Sequence, residues 1–186
     1  MLGVLEANAS SACIFLNKRR FPMKRKTLYG GIFILFGVVF LLASPGFSAT
    51  PEPQSEQAKQ IKALVDRAAA LIESKGKDAF PEFKKKDSEW YKGETYIFVN
   101  DMNGISLVHP THPELEGKSL INTKDVNGKL FARAFIETAK TRGSGWVDYM
   151  WFKPGEDQPS KKISYIRKAK MPDGEMVIVG AGIYIE

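Results

Sequence analysis

Residues 95–110 read TYIFVNDMNGISLVHP. Tyr96, Ile97, Phe98 and Val99 are apolar or aromatic at both parities of a strand, so both faces of that strand are expected to be covered. Asn100-Asp101-Met102-Asn103-Gly104 has turn chemistry: Asn and Asp tolerate left-handed backbone, and Gly adopts it without steric cost. Ile105, Leu107 and His109 then share a parity on the returning strand. The stretch predicts a hairpin at the centre of a sheet, with His109 leaving its second strand and pointing inward.

Upstream, Thr50 to Gln54 is a Pro-rich polar linker at residues 50–54, and Ser55 is placed to cap a helix. Ala58, Ile61, Leu64, Val65, Ala68, Leu71 and Ile72 follow at steps of three and four, which marks one helical face, with Gly76 as its stop. Residues 78–91 predict a short helix or two, interrupted near Pro81. Downstream, residues 109–128 are rich in Pro, Gly, Asn and Thr and form a long loop; a loop of about 15 residues inside a compact domain is usually functional. A helix starting at Asp125 or Asn127 carries Leu130, Phe131, Ala134, Phe135 and Thr138 on one face and ends at Gly143-Ser144-Gly145. Strands are expected over residues 146–152, 162–167 and 176–185, and the run VIVGAGIYI is again apolar at both parities, so it is expected to be central. The pattern is α+β, with helices covering a five-stranded antiparallel sheet.

The net charge of +6 over 186 residues is concentrated at the start of the chain. Six of the 27 Lys and Arg precede residue 27, leaving 21 basic against 20 acidic residues from Thr50 onward. The domain is close to neutral, and no nucleic-acid partner is expected. Cys13 is the one cysteine and precedes the domain, which excludes an intrachain disulfide and a Cys-rich metal site. Met23-Lys24-Arg25-Lys26 fronts the apolar run LYGGIFILFGVVFLLA at residues 28–43, and small residues follow it. That order predicts a signal peptide over residues 23–49, cleaved after Ser48; an uncleaved anchor is the alternative. Residues 1–22 precede a complete signal and read as a start-site artefact or an extended leader. The expected location is periplasmic or secreted, or the inner membrane if residues 28–43 are kept.

The ordered segments YIFVNDMNGISLVHP, LEGKSL, DVNGK, GSGWVDYMWFKPG, KKISYIRK and VIVGAGIYI resemble the single Cache domain. This is a PAS-like extracellular sensor module of bacterial chemoreceptors, sensor kinases and freestanding secreted proteins. The resemblance covers residues 55–186. It implies a long N-terminal helix, a five-stranded antiparallel sheet, and a ligand pocket covered by the long loop and a short helix. Small organic acids, amino acids and similar metabolites are the ligands it implies. In receptors such a domain is followed by a membrane span and a signalling module, whereas this sequence ends at Glu186 after its last strand. The expected form is therefore an exported binding and sensing domain without its own output module, with a membrane receptor or sensor protein as partner. A membrane-anchored accessory sensor and an enzyme acting on a small carboxylic acid are the alternatives.

A small carboxylate in a buried pocket needs a cation or several donors. Lys162 shares a strand face with Ser164 and matches the family's Lys-x-Ser-Tyr segment, which ends at Tyr165. His109 can donate to a carboxylate as imidazolium, or through one N–H when neutral. Tyr149 and Trp151 share a face and offer an O–H and an indole N–H over apolar walls. Tyr96, Phe98, Phe131 and Tyr165 are further candidates, although aromatics at these spacings also fill cores. Gly180 and Gly182 permit close approach, either of a ligand or of packed neighbours. His109, His112 and Glu114 would need a helix to converge on a metal, and Pro110 and Pro113 forbid one, so no metal and no cofactor is expected. His109 has no second catalytic partner that the sequence places, and catalysis is not expected.

Overall fold

The computed structural model describes residues 50–185; the leader and start-site expectations for residues 1–49 lie outside the described residues. Ser55 begins the fold, its Oγ accepting a hydrogen bond from the Ala58 N–H at 3.1 Å and so satisfying one of the donors that a helix start leaves open. Helix α1 (Glu56–Lys75) buries Ala58, Ile61, Leu64, Val65, Ala68, Ala69 and Ile72 and stops at Gly76, whose N–H donates to the Ile72 carbonyl. Gly76 sits at φ +60, where a side chain would be strained. A 3-10 turn (Gly76–Ala79) leads into the one-turn helix α2 (Phe80–Phe83). Pro81 lies in the first turn of α2 and starts it rather than interrupting it, because a helix start has no partner for the N–H that proline lacks.

Strands β1 (Tyr91–Lys92) and β2 (Thr95–Tyr96) form a small hairpin, so the run expected as one strand is broken at Ile97. The large sheet comprises β3 (Phe98–Asp101), β4 (Ser106–Val108), β5 (Ser144–Phe152), β6 (Pro159–Lys170) and β7 (Met176–Ile185). Its order is β4-β3-β7-β6-β5, with every neighbouring pair antiparallel. The last strand is central, as expected. The β3–β4 hairpin is not: β7 inserts between β3 and β6, which leaves β4 at one edge. β3 is inside the sheet, and its two-faced apolar pattern answers to that position. Among the described residues no helix is long and apolar enough to cross a membrane.

Helices cover both faces, in the PAS-like arrangement. On the first, α1 packs against Ile97, Val99, Ile163, Tyr165, Val177, Val179, Ala181 and Ile183. On the second, α3 (Phe131–Arg142) brings Phe131 and Phe135 against Phe98, Val147, Tyr149, Ile166 and Ile178. Arg167 also ties α1 to the sheet through Asp66 at 2.9 Å and Glu73 at 3.7 Å. Such half-exposed pairs contribute up to about 1 kcal/mol. Each fully buried Ile, Leu or Val contributes about 1.5–3 kcal/mol, so packing dominates the attachment of α1.

Helix α3 starts at Phe131, not at Asp125 or Asn127. The Asp125 carboxylate is used in a turn, its Oδ1 accepting from Asn127 N–H at 3.0 Å and Lys129 N–H at 2.8 Å. Asp101 does the same toward Asn103 and Ile105, at 2.9 and 2.7 Å. The two Asp-x-Asn-Gly segments are the same turn built twice, each closing on a glycine with φ above +80.

Candidate functional site

The second face of the sheet carries the site. Alternation along β6 puts Lys162, Ser164 and Ile166 on this face, and the register sets their neighbours. Lys162 lies between Tyr149 of β5 and Tyr184 of β7, Ser164 between Val147 and Gly182, and Ile166 beside Gly180, which faces Phe98 of β3. The two glycines are required by packing. A Cβ at Gly182 would sit 2.3 Å from Ser164 Oγ and 2.8 Å from Lys162 Cε, and one at Gly180 would sit 2.3 Å from the Phe98 ring.

Above this floor, α3 and the long loop close a narrow cavity of about 10 Å3, room for roughly one water molecule. Five of the expected residues line it: Phe98, His109, Phe131, Tyr149 and Trp151. Phe131 stacks on Tyr149 at 5.2 Å between centroids, and Trp151 meets Phe131 edge-on at 5.3 Å. Tyr96, Lys162 and Ser164 stand just beyond the wall: Tyr96 packs on His109 at 5.4 Å, and Ser164 Oγ lies 3.1 Å from Tyr149 Oη.

Lys162 is fully buried. Its ammonium lies 4.0 Å from the centroid of the Tyr96 ring, 4.8 Å from that of Tyr184, and 3.4 Å from Tyr184 Oη. Among the described residues it has no carboxylate partner; Glu94 acts on it only at a distance and pairs with Lys153 at 3.8 Å. Burial pushes the ammonium below the usual lysine range, and Tyr96 and Glu94 oppose that only in part. Of the four buried side-chain polar atoms without a hydrogen-bond partner among the described residues, two belong to this site, Tyr96 Oη and Trp151 Nε1. Burial also pushes the Tyr149 phenol up, so it stays protonated and can donate.

His109 is buried and points into the cavity, but not by the expected parity. Leu107 and Val108 both pack toward the α1 face, because the β3–β4 register shifts between Val108 and Ser106 and leaves Leu107 as the extra residue; His109 then alternates from Val108 into the cavity. Its backbone N–H donates to Glu116 Oε1 at 2.9 Å, and its Nδ1 lies 3.3 Å from Thr111 Oγ1. Burial pushes its pKa down to about 3, with the charges of Lys162 and His112 adding to the effect. It is therefore a neutral imidazole, not an imidazolium, at neutral pH. His112 pairs with Glu114 at 2.9 Å.

Tyr165 is not part of the site. It is one residue out of phase with Lys162 and Ser164, and packs on the α1 face against Trp146 at 5.3 Å. Four contributors went unforeseen: Asn100, Leu120, Phe135 and Tyr184. Asn100 is polar yet only 4% exposed and lines the cavity; its parity with Phe98 was the available signal, masked by its turn-like composition. Phe135 lies one helical turn from Phe131, and Tyr184 keeps the parity of Gly180 and Gly182. Leu120 sits in the loop, where no period marks it.

Residues 55–186 match the Cache domain family. Over 96 residues the chain is 32% identical to the methyl-accepting chemotaxis protein McpP of Pseudomonas putida and 31% identical to the sensor histidine kinase MctS of Rhizobium johnstonii. That stretch is 52% of this chain but only 17% and 20% of those proteins, so the chain spans about a fifth of the length of the curated relatives it matches. Among solved structures, a periplasmic sensor domain of a chemotaxis protein is 35% identical, with a TM-score of 0.59 over 70% of this chain and 95% of that one. A Cache chemosensory domain described for its carboxylic acid recognition is 28% identical, with a TM-score of 0.59 over 70% and 94%. The long first helix and five antiparallel strands agree with the match over residues 55–186, and the chain belongs to the Cache domain family, homologous to the sensor domains of chemoreceptors and sensor kinases.

Proposed function

We propose that this domain binds a short organic acid outside the cytoplasm, without turning it over, and passes the bound state to a membrane receptor or sensor protein. The observation that carries the reading is Lys162, fully buried and without a carboxylate partner among the described residues. An unpaired buried cation is costly, and an anionic ligand offsets that cost. Tyr96 Oη and Trp151 Nε1 add donors, and Tyr149 and His109, both in the cavity wall, stand next to the cation's surroundings. A carboxylate entering the cavity reaches Lys162 when the Tyr149 or Tyr96 ring swings aside. The narrow aromatic walls favour an acid of few carbons. Carboxylic acid recognition by a structural relative supports the ligand class, and the periplasmic placement of another supports export, as does the basic-fronted apolar run at residues 28–43. Binding without catalysis is supported by His109, whose near neighbour at Nδ1 is the Thr111 hydroxyl rather than a carboxylate.

Thermal unfolding with short acids and their matched amides tests this. A ligand at about 100 times its dissociation constant adds roughly 2.7 kcal/mol, a shift of several degrees for a domain of this size. The expected result is a shift with acids and none with amides. Equal shifts, or none with any acid, would contradict the reading.

A further inference from the structure

One side chain separates the inner cavity from a second space. Trp151 lines both the cavity and an outer groove of about 420 Å3 that runs along β5 beside loop residues 123–126. No other described residue lines the two together. Its indole packs against Phe131 and Tyr149 on the cavity side, at 5.3 and 6.1 Å, and against His112 and Phe152 on the groove side, at 5.8 and 6.3 Å. Beyond Trp151 the groove offers an apolar stretch of Leu115, Val126, Met150 and Phe152, with His112, Glu114, Thr123, Lys124 and Asp125 also lining it; Val126 is 66% exposed and Phe152 36%. Exposed apolar side chains beside a groove suit an alkyl chain better than a charged ligand.

We infer that Trp151 sets the maximum chain length of the ligand, a role that rests on the carboxylate reading above. With the acid group directed to Lys162, the alkyl chain runs toward the indole and stops there. Removing the indole joins cavity and groove, and a longer chain then lies on Leu115, Val126, Met150 and Phe152.

The full-length protein and its Trp151→Ala and Trp151→Phe variants are melted against straight-chain acids from acetate to octanoate, and in parallel against 1-hexanol. The wild type is expected to respond to short acids only. In Trp151→Ala, short acids weaken by about three- to tenfold as the indole N–H is lost. Hexanoate and octanoate change from inert to bound, tightening roughly fourfold per methylene buried. 1-Hexanol stabilises this variant and not the wild type. A wild type that already accepts octanoate, or a chain-length limit unchanged in Trp151→Ala, overturns the inference and leaves the carboxylate reading standing. Stabilisation of Trp151→Ala by 1-hexanol, with no acid acting on any of the three proteins, upholds the wall and overturns the carboxylate reading. If Trp151→Ala does not melt cooperatively, Trp151→Phe decides: a limit longer by one carbon or more supports the inference, and an unchanged limit overturns it.

Discussion

Under the carboxylate proposal, Lys162 pairs a structural cost with a binding advantage, and the two make opposite predictions for one substitution. Replacing a buried, unpaired cation by an apolar side chain of similar length removes its desolvation penalty, so Lys162→Met is expected to raise folding stability by about 1–4 kcal/mol. Denaturant unfolding checks the sign. Protonation gives a second test. The fold lowers the Lys162 pKa, so between that folded value and the unfolded value of about 10.4 the native state binds fewer protons than the unfolded chain. A bound carboxylate restores the proton. Affinity is therefore expected to fall as pH rises through the folded pKa, with net proton uptake on binding when calorimetry is repeated in buffers of different ionisation heat. His109 works in an acidic window. Its pKa of about 3 lies below the unfolded value near 6.5, so the native state is the one lacking the proton between these pH values. Stability is lost as pH falls from about 6.5 toward 3, by up to roughly 1.4 kcal/mol per pH unit. In His109→Asn that slope should flatten, and an unchanged slope would place the titration elsewhere. Lys162 was legible in the sequence because strand alternation with Ser164 fixes its face. The same alternation excludes Tyr165. His109 reached its place through the register shift at Leu107, which no period in the sequence marks.

At the scale of elements, helix α1 was readable from cap to stop because each signal is local: Ser55, the three-four spacing, Gly76. Ser55→Ala is expected to cost about 1 kcal/mol by thermal unfolding. The start of α3 was less legible, since Asp125 can cap a helix or close a turn, and its second oxygen settles the choice by accepting from the Met150 N–H at 2.9 Å. That bond reaches across to β5 and is invisible to local pattern. On β7 the close approach at Gly182 predicts that Gly182→Ala destabilises the fold by about 1–3 kcal/mol, because the new methyl would lie 2.7 Å from the Ile163 carbonyl oxygen as well as against Ser164. A tolerated alanine would mean that β6 and β7 separate more readily than their register implies.

Across the whole molecule, the loop that follows β4 joins the two edges of the sheet. Near β4 it is held by backbone bonds from Ser106 to Lys118, from Gly117 to Ser106 and from Leu120 to Gly104. At β5 it is held by Asp125 on Met150 and by the Lys129 ammonium on the Asp148 carbonyl and carboxylate. Arg133 of α3 grips its middle through the Ile121 carbonyl at 3.1 Å and Asn122 Oδ1 at 2.6 Å. The sequence announced a long loop but not its path, because that path depends on β7 entering between β3 and β6, a long-range pairing. Titrating full-length protein with a short acid against Lys162→Met in a calorimeter tests the central claim most directly. The account predicts a loss of affinity of at least about 100-fold, the scale of an anion losing its buried counter-charge, in a variant that melts at or above the wild-type temperature. Undiminished binding in that variant would contradict it.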